Sequence, residues 1–225
     1  MIVGASRGLG DAFARAVPNA GDHAWLVSRS RPASLEVRDG VQREWIEADL
    51  NLEDAAQTVS SAFSADVLDV LVYNAGIWEA SAFSSRYDFQ RVPDLETRDI
   101  LRVNLSAAIH LIRAFLPCLE RSANPKIILI GSVNGLPNTG MPEVAYNASK
   151  WGLRGVAHGL RAHLRDKRIG VTVINPGSID TVDGGSRDDL IPPGDLVALL
   201  RCVVALSRRT NVTEIDVPAM LDEMA

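Results

Sequence analysis

The chain has few cysteines, few lysines, few aromatics and no long apolar run. Its two cysteines, Cys118 and Cys202, lie far apart with no C-x-x-C spacing, which excludes a disulfide framework and a cysteine-type zinc or redox site. Two isolated thiols fit a reducing cytoplasm, the compartment expected here. No excess of positive charge is present: 23 Lys+Arg against 28 Asp+Glu leave a net charge of -5. That balance gives no general attraction to nucleic acid or anionic membrane and leaves only local basic pockets open. No apolar stretch reaches the length of a membrane span, and the N-terminus lacks a basic segment followed by an apolar one, so neither spanning nor secretion is expected. The histidines His23, His110, His158 and His163 show no metal-ligand spacing, and no metal site is expected. At 47% hydrophobic and 23% charged, the remaining composition is that of a globular domain, and 225 residues can bury a core without staples.

Short β-branched runs alternate with longer amphipathic ones. Candidate strands are Met1–Val3, Ala24–Ser28, Gln42–Glu47, Asp69–Tyr73, Lys126–Gly131, Val171–Asn175 and Glu214–Val217. Helical patterns lie at Gly8–Val17, Leu52–Phe63, Leu95–Glu120, Ala145–Arg165 and Gly194–Ser207. This alternation predicts an α/β fold, a doubly wound parallel sheet with helices on both faces. The unbroken run Ile127–Ile130 is what a strand covered on both faces requires. No repeat or linker divides the chain, so residues 1–225 are expected to form one domain. The least regular stretches, Ile77–Pro93, Val133–Val144 and Ser178–Pro193, each follow a strand's carboxyl end, the edge where ligands bind in such sheets.

The first strand runs into Gly4-Ala5-Ser6-Arg7-Gly8-Leu9-Gly10, which opens a helix. Glycines there permit a tight turn and close backbone approach to a pyrophosphate, whose charge meets the free N–H groups of the helix start. The glycines alone are a weak signal; their place between a first strand and a first helix strengthens it.

Tyr146 and Lys150 stand four residues apart on a helical pattern and share a face. A free phenol has a pKa of about 10, and a nearby ammonium favours its ionised form. Such a pair can give a proton to a carbonyl oxygen or take one back. With three tyrosines and three lysines in the chain, an accidental Y-x-x-x-K has a probability of about 0.04. Ser132 closes an apolar strand, where its hydroxyl would either orient a substrate oxygen beside Tyr146 or cap a turn. Asn104 lies inside an apolar helix pattern, and a buried amide needs partners.

The glycine turn, Asn74-Ala75-Gly76, Ser132, Tyr146-x-x-x-Lys150 and Pro176-Gly177, in this order, resemble the short-chain dehydrogenase/reductase family over nearly the whole chain. The resemblance implies a seven-stranded Rossmann-like sheet and a nicotinamide-dependent oxidoreductase acting on a small carbonyl or alcohol. It implies that Lys150, with Tyr146, meets the nicotinamide ribose and that Asn104 helps hold a water leading to Lys150, although an asparagine bridging helix to sheet is an equal reading. Asp49, followed by Leu50, matches the residue near the adenine amino group, or else belongs to a helix start. Asn74, Ala75 and Gly76 border the adenosine half, while Pro176, Gly177, Ile179 and Thr181 fall on the nicotinamide side. Homodimers or homotetramers through Leu95–Glu120 and Ala145–Arg165 are also implied.

After the second strand comes Ser28-Arg29-Ser30-Arg31, without the acid that would accept the adenosine ribose hydroxyls. Arg29 from one side and Arg7 from the other, with Ser28 adding a hydroxyl, favour NADP(H) over NAD(H). Departures from the family pattern are Val3 where a threonine is usual, a first strand of only three residues (a short strand, or a start lying upstream), a brief lid from Asp183 to Pro193, and an ending that lacks Asp-Gly-Gly, with Pro218 stopping the last strand. Trp78, Phe83, Tyr87 and Phe89 in the 77–93 loop would either line a pocket for an apolar ketone or tuck the loop onto the core. The rival function is a catalytically silent NADP(H)-binding sensor on the same fold.

Overall fold

Seven parallel strands form one sheet in the order β3-β2-β1-β4-β5-β6-β7: β1 (Ile2–Val3), β2 (His23–Ser28), β3 (Gln42–Glu47), β4 (Val70–Tyr73), β5 (Lys126–Ile130), β6 (Gly170–Pro176) and β7 (Glu214–Val217). They belong to a computed structural model that describes residues 1–137, 141–181 and 187–221. Parts of the irregular stretches 133–144 and 178–193, including Asp183 of the brief lid, and the last four residues fall outside these. The chain winds outward from β1 to β3, then returns to start β4 on the other side of β1. That reversal opens a crevice at the carboxyl ends of the two central strands.

Side chains alternate across each strand, and both faces are covered. In β5, Ile127 and Leu129 point into the layer built with α2 (Ala55–Ala62), α4 (Ala107–Glu120) and α5 (Val144–Leu164). Ile128 and Ile130 point into the opposite layer, with α1 (Gly8–Ala16) and α6 (Pro193–Ala205). Two-sided burial is the reason the run carries no polar residue. β1 has only two ladder residues, yet it pairs with β2 and β4 on either side. The N–H of Gly4 and that of Asn74 extend this ladder to Val27 and Val3 carbonyls, so the short strand still anchors its turn.

Two helices differ from the sequence expectation. The pattern read as starting at Leu52 becomes helical only at Ala55, because Asp49 Oδ1 accepts the Asn51 N–H at 3.0 Å and holds a turn first. The run read as one helix over Leu95–Glu120 is interrupted: α3 (Asp94–Leu101) passes through a π-helical turn, Arg102–Ser106, into α4. There the Ala107 N–H reaches back five residues to the Arg102 carbonyl. The Val103 carbonyl in this turn accepts the Tyr73 hydroxyl from the end of β4. By composition Asp94–Glu120 is long and apolar enough to cross a membrane, but here it lies on the sheet with Ile100, Leu111, Ile112, Phe115 and Leu119 buried.

Candidate active site

The glycine turn is as tight as its sequence suggests. Gly4 and Gly8 have φ of 84° and 55°, in the region that disfavours side chains. A Cβ on Gly4 would sit 2.7 Å from the Ala75 backbone, and one on Gly10 only 1.9 Å from the Gly4 carbonyl oxygen. Asn74 fastens the turn by donating from Nδ2 to that same oxygen at 3.1 Å. Arg7 stands at the N-cap of α1 with no side-chain cap bond, so the N–H groups near Gly8 and Leu9 remain available to an anion. Ser6 lies between Gly4 and Gly8 on the turn, and Thr181 comes down onto Gly8, where a Cβ would meet it at 3.4 Å. Thus the first and sixth strands deliver their loops to one place. Gly177 is bonded through its N–H to the Val217 carbonyl, and Ile179 bridges to Ile191, which closes the loop after Pro176.

At the end of β2 the serine differs from expectation. Ser28 is buried, and its hydroxyl donates to the Ser30 carbonyl at 2.8 Å rather than facing outward. Arg29 and Arg7 are exposed, and among the described residues neither forms an ion pair, whereas Arg31 is paired with Glu36 at 2.9 Å. Leu50 is buried under the Asp49 turn.

Ser132, Tyr146 and Lys150 meet at the carboxyl end of β5. Ser132 lies within reach of the Tyr146 hydroxyl and works to lower its pKa; its Oγ donates to Asn134 Oδ1 at 3.3 Å and accepts the Asn134 N–H at 3.2 Å. Lys150 lies one helical turn beyond Tyr146, with Nζ 5.5 Å from the phenol ring centroid and donating to the Ile130 carbonyl at 3.0 Å. Gly76 faces both Lys150 Nζ and Asn104 Oδ1, at 3.4 and 3.7 Å from a built Cβ. Asn104 is fully buried: Nδ2 donates to the Ile77 carbonyl (2.8 Å) and to Ser149 Oγ (2.9 Å), and Oδ1 accepts the Ile77 N–H (2.8 Å). It therefore ties the π turn to the 77–93 loop and to α5, with one oxygen lone pair left over.

The acidity of the phenol departs from the expectation that Lys150 would lower it. Burial pushes the Tyr146 pKa up; the Ser132 hydrogen bond opposes this, and the charges of Glu143 and Glu79 add to the rise. The same burial brings the Lys150 ammonium down to about 8. Its Nζ is committed to Ile130 and sits over the ring, not at the hydroxyl, which is why it does little for the phenolate.

Sequence reasoning missed two residues at the head of α5, Glu79 and Glu143. Glu79, 1% exposed, accepts the Ala145 and Tyr146 N–H groups on one oxygen at 2.9 and 3.3 Å. Glu143, equally buried, accepts the Phe83 N–H at 2.8 Å, and Tyr87 takes the Val144 N–H at 3.0 Å. The loop and the helix thus supply each other's acceptors. An acid just ahead of a helix that has no Ser, Thr or Asp cap was the available signal for Glu143; nothing local marks Glu79. Phe83 adopts φ 58°, and it and Trp78, both half-exposed, set their rings edge-on to Tyr146 with centroids 5.6 and 6.3 Å away. Among the described residues no group of acids, histidines and cysteines could hold a metal.

A doubly wound parallel sheet with a glycine turn at its switch point and a Ser–Tyr–Lys set at the same edge defines a Rossmann-type α/β protein. Residues 1–189 match the sequence profile of the family described as short chain dehydrogenase. The 3-oxoacyl-(acyl-carrier-protein) reductase FabG of Escherichia coli is 30% identical over 185 residues, 80% of this chain and 73% of that protein. An uncharacterized oxidoreductase of Staphylococcus epidermidis is 27% identical over 228 residues, 96% of this chain and 95% of its own. A metagenomic short-chain oxidoreductase solved with NADP superimposes with a TM-score of 0.82 at 27% identity, covering 98% of this chain and 96% of that one. The chain belongs to the short-chain dehydrogenase family and is an oxidoreductase.

Removing Glu79 leaves two N–H donors at the head of α5 without their acceptor. Glu79→Ala is expected to cost about 1–3 kcal/mol in urea unfolding. Glu79→Gln keeps an acceptor but loses the charge, so Tyr146 should ionise at lower pH in an NMR titration of labelled tyrosine. A Tyr146 titration identical to the parent's would show that Glu79 exerts no field on the phenol.

Proposed function

We propose that this chain is an NADP(H)-dependent reductase of small carbonyl compounds in which Tyr146 is the general acid. The observation that carries this reading is the convergence of Ser132, Tyr146 and Lys150 at the edge where the glycine turn ends. Bound NADPH would supply the hydride. The cradle left by Gly4, Gly8 and Gly10, where a Cβ would collide at two of the three, suits a pyrophosphate held by the α1 N–H groups. Arg7 and Arg29 would take the 2′-phosphate, Asp49 and Leu50 the adenine, Asn74 to Gly76 the adenosine side, and Pro176, Gly177, Ile179 and Thr181 the nicotinamide side. Tyr146 and Lys150 would hold the ribose between them. The unpaired arginines, with no acid after β2, support NADP(H) over NAD(H).

Ser132 would orient the carbonyl oxygen while Tyr146 hands over its proton. A phenol kept protonated by burial can donate the proton that carbonyl reduction needs. Lys150, bonded to the Ile130 carbonyl and over the ring, would serve the nicotinamide ribose rather than the phenolate. Trp78 and Phe83, half-exposed against Tyr146, support an apolar carbonyl substrate. The unpaired thiols of Cys118 and Cys202 suit a cytoplasmic enzyme. Ile109, Ile112, Leu116, Val156 and Leu160 form an apolar groove between α4 and α5, which supports association of two copies there. Light scattering should give at least twice the chain mass, and a monomer would exclude it.

The direct test is NADPH oxidation against a panel of apolar ketones and aldehydes. Tyr146→Phe should lose about 10²–10⁴ in rate with NADPH affinity nearly unchanged; full turnover would refute the acid. Arg29→Ser should weaken NADPH binding roughly tenfold and leave NADH alone. Lys150 is cationic below about 8, so kcat/KM for reduction should decline as pH rises through that value.

A further inference from the structure

At the amino edge of the sheet, opposite Tyr146, a cavity of about 380 Å³ opens where β5 and β6 begin. Six cations line it: Lys126, Arg161, Arg165, Arg168, Arg208 and Arg209. No acid lines it, and among the described residues none of the six forms a salt bridge. The chain is acidic overall, so this is a local concentration that composition does not provide. Crowding like charges without a counter-charge costs free energy, and it persists where an anion supplies the balance.

Several of these cations are held in place by neutral acceptors, which fixes their position without cancelling their charge. Arg161 donates to the Val171 and Thr213 carbonyls at 3.1 and 2.7 Å. Arg208 donates to the carbonyls of Arg168 and Lys167 at 3.4 and 2.8 Å, and Arg168 adopts φ 53° where Arg208 meets it. Lys126 is 4% exposed, and its ammonium has one protein acceptor, Asn124 Oδ1 at 3.1 Å. Three donors and one acceptor leave a buried ammonium underserved, and burial draws its pKa down. The nearest carboxylate acting on Arg161 is Glu214, already engaged by Arg154 and Asn175. The carboxyl end of α5 accounts for Arg161 and Arg165 through its dipole, but not for Lys126, Arg208 or Arg209.

We propose that this cavity binds a small molecule carrying two or more phosphate groups, at a site separate from the catalytic edge. Its volume is that of a small-ligand pocket, and its cations converge on one concavity instead of spreading in the stripe that a nucleic acid would track. Arg165 and Arg209 make no side-chain hydrogen bond among the described residues, which leaves their guanidinium forks free for phosphate oxygens.

The test is calorimetric titration of the full chain with inorganic tripolyphosphate and, in parallel, with a sugar bisphosphate, each with and without saturating NADPH. Saturable binding is expected, weakened roughly tenfold or more in the Arg165→Ser/Arg209→Ser double variant and unchanged in Arg38→Ser. Tighter binding of one probe tells an inorganic from an organic phosphate. Absence of saturable binding, equal binding by the double variant, or binding of duplex DNA but of neither probe overturns the proposal. Loss of binding to NADPH competition alone, with the double variant unaffected, assigns the signal to the glycine turn and overturns it too. NADPH turnover enters none of these readouts, so this inference and the proposed activity stand or fall separately.

Discussion

The first backbone N–H groups of α5 find their acceptors outside the helix, and the position of Tyr146 rests on them. Val144 bonds to Tyr87, while Ala145 and Tyr146 share one oxygen of Glu79. A helix start left without partners would fray, and fraying would begin at the very turn that holds the phenol. Because the acceptors come from the 77–93 loop, the same bonds fix Trp78 and Phe83 against the ring. Asn104 fastens the start of that loop from the π turn. One set of polar contacts therefore builds both the phenol's surroundings and the wall that would meet a substrate.

How much of this could be read beforehand depends on range. The strands and the glycine turn are local patterns: Ile127–Ile130 is apolar because two layers cover it, and Gly4, Gly8 and Gly10 announce their backbone needs directly. Tyr146 and Lys150 are four residues apart, so their shared face follows from helix geometry. Glu79 and Ala145 are 66 positions apart, and no spacing rule joins them. The π turn is equally hidden, since it depends on Asn104 bonding to Ile77 and on Tyr73 reaching Val103. Ser28 turned inward because its own loop offered the Ser30 carbonyl. The phenol's acidity has a related origin: spacing places an amine nearby, but burial first, and two acids distant in sequence, push the pKa up.

Charge is distributed along the strands in a way the net value of -5 conceals. Two buried carboxylates accompany Lys150 at the carboxyl edge, whereas Lys126 and five arginines gather where β5 and β6 begin. β5 connects the two ends, with Lys126 as its first residue and Ser132 just past its last. Strands covered on both faces are stiff, so each end keeps its own electrostatic character.

The π turn at Arg102–Ser106 amounts to one residue of surplus in an otherwise regular helix. A single-codon deletion there would heal the ladder into continuous α-helix. The flanks would stay nearly in phase, because the wider turn takes up its extra residue without the usual advance of about 100°, but the residues of the turn itself would be re-aimed. Asn104 would swing off Ile77 and Ser149, and the loop end it anchors would come loose. Removing that one residue would therefore cost the loop its anchor while leaving the helix itself more regular.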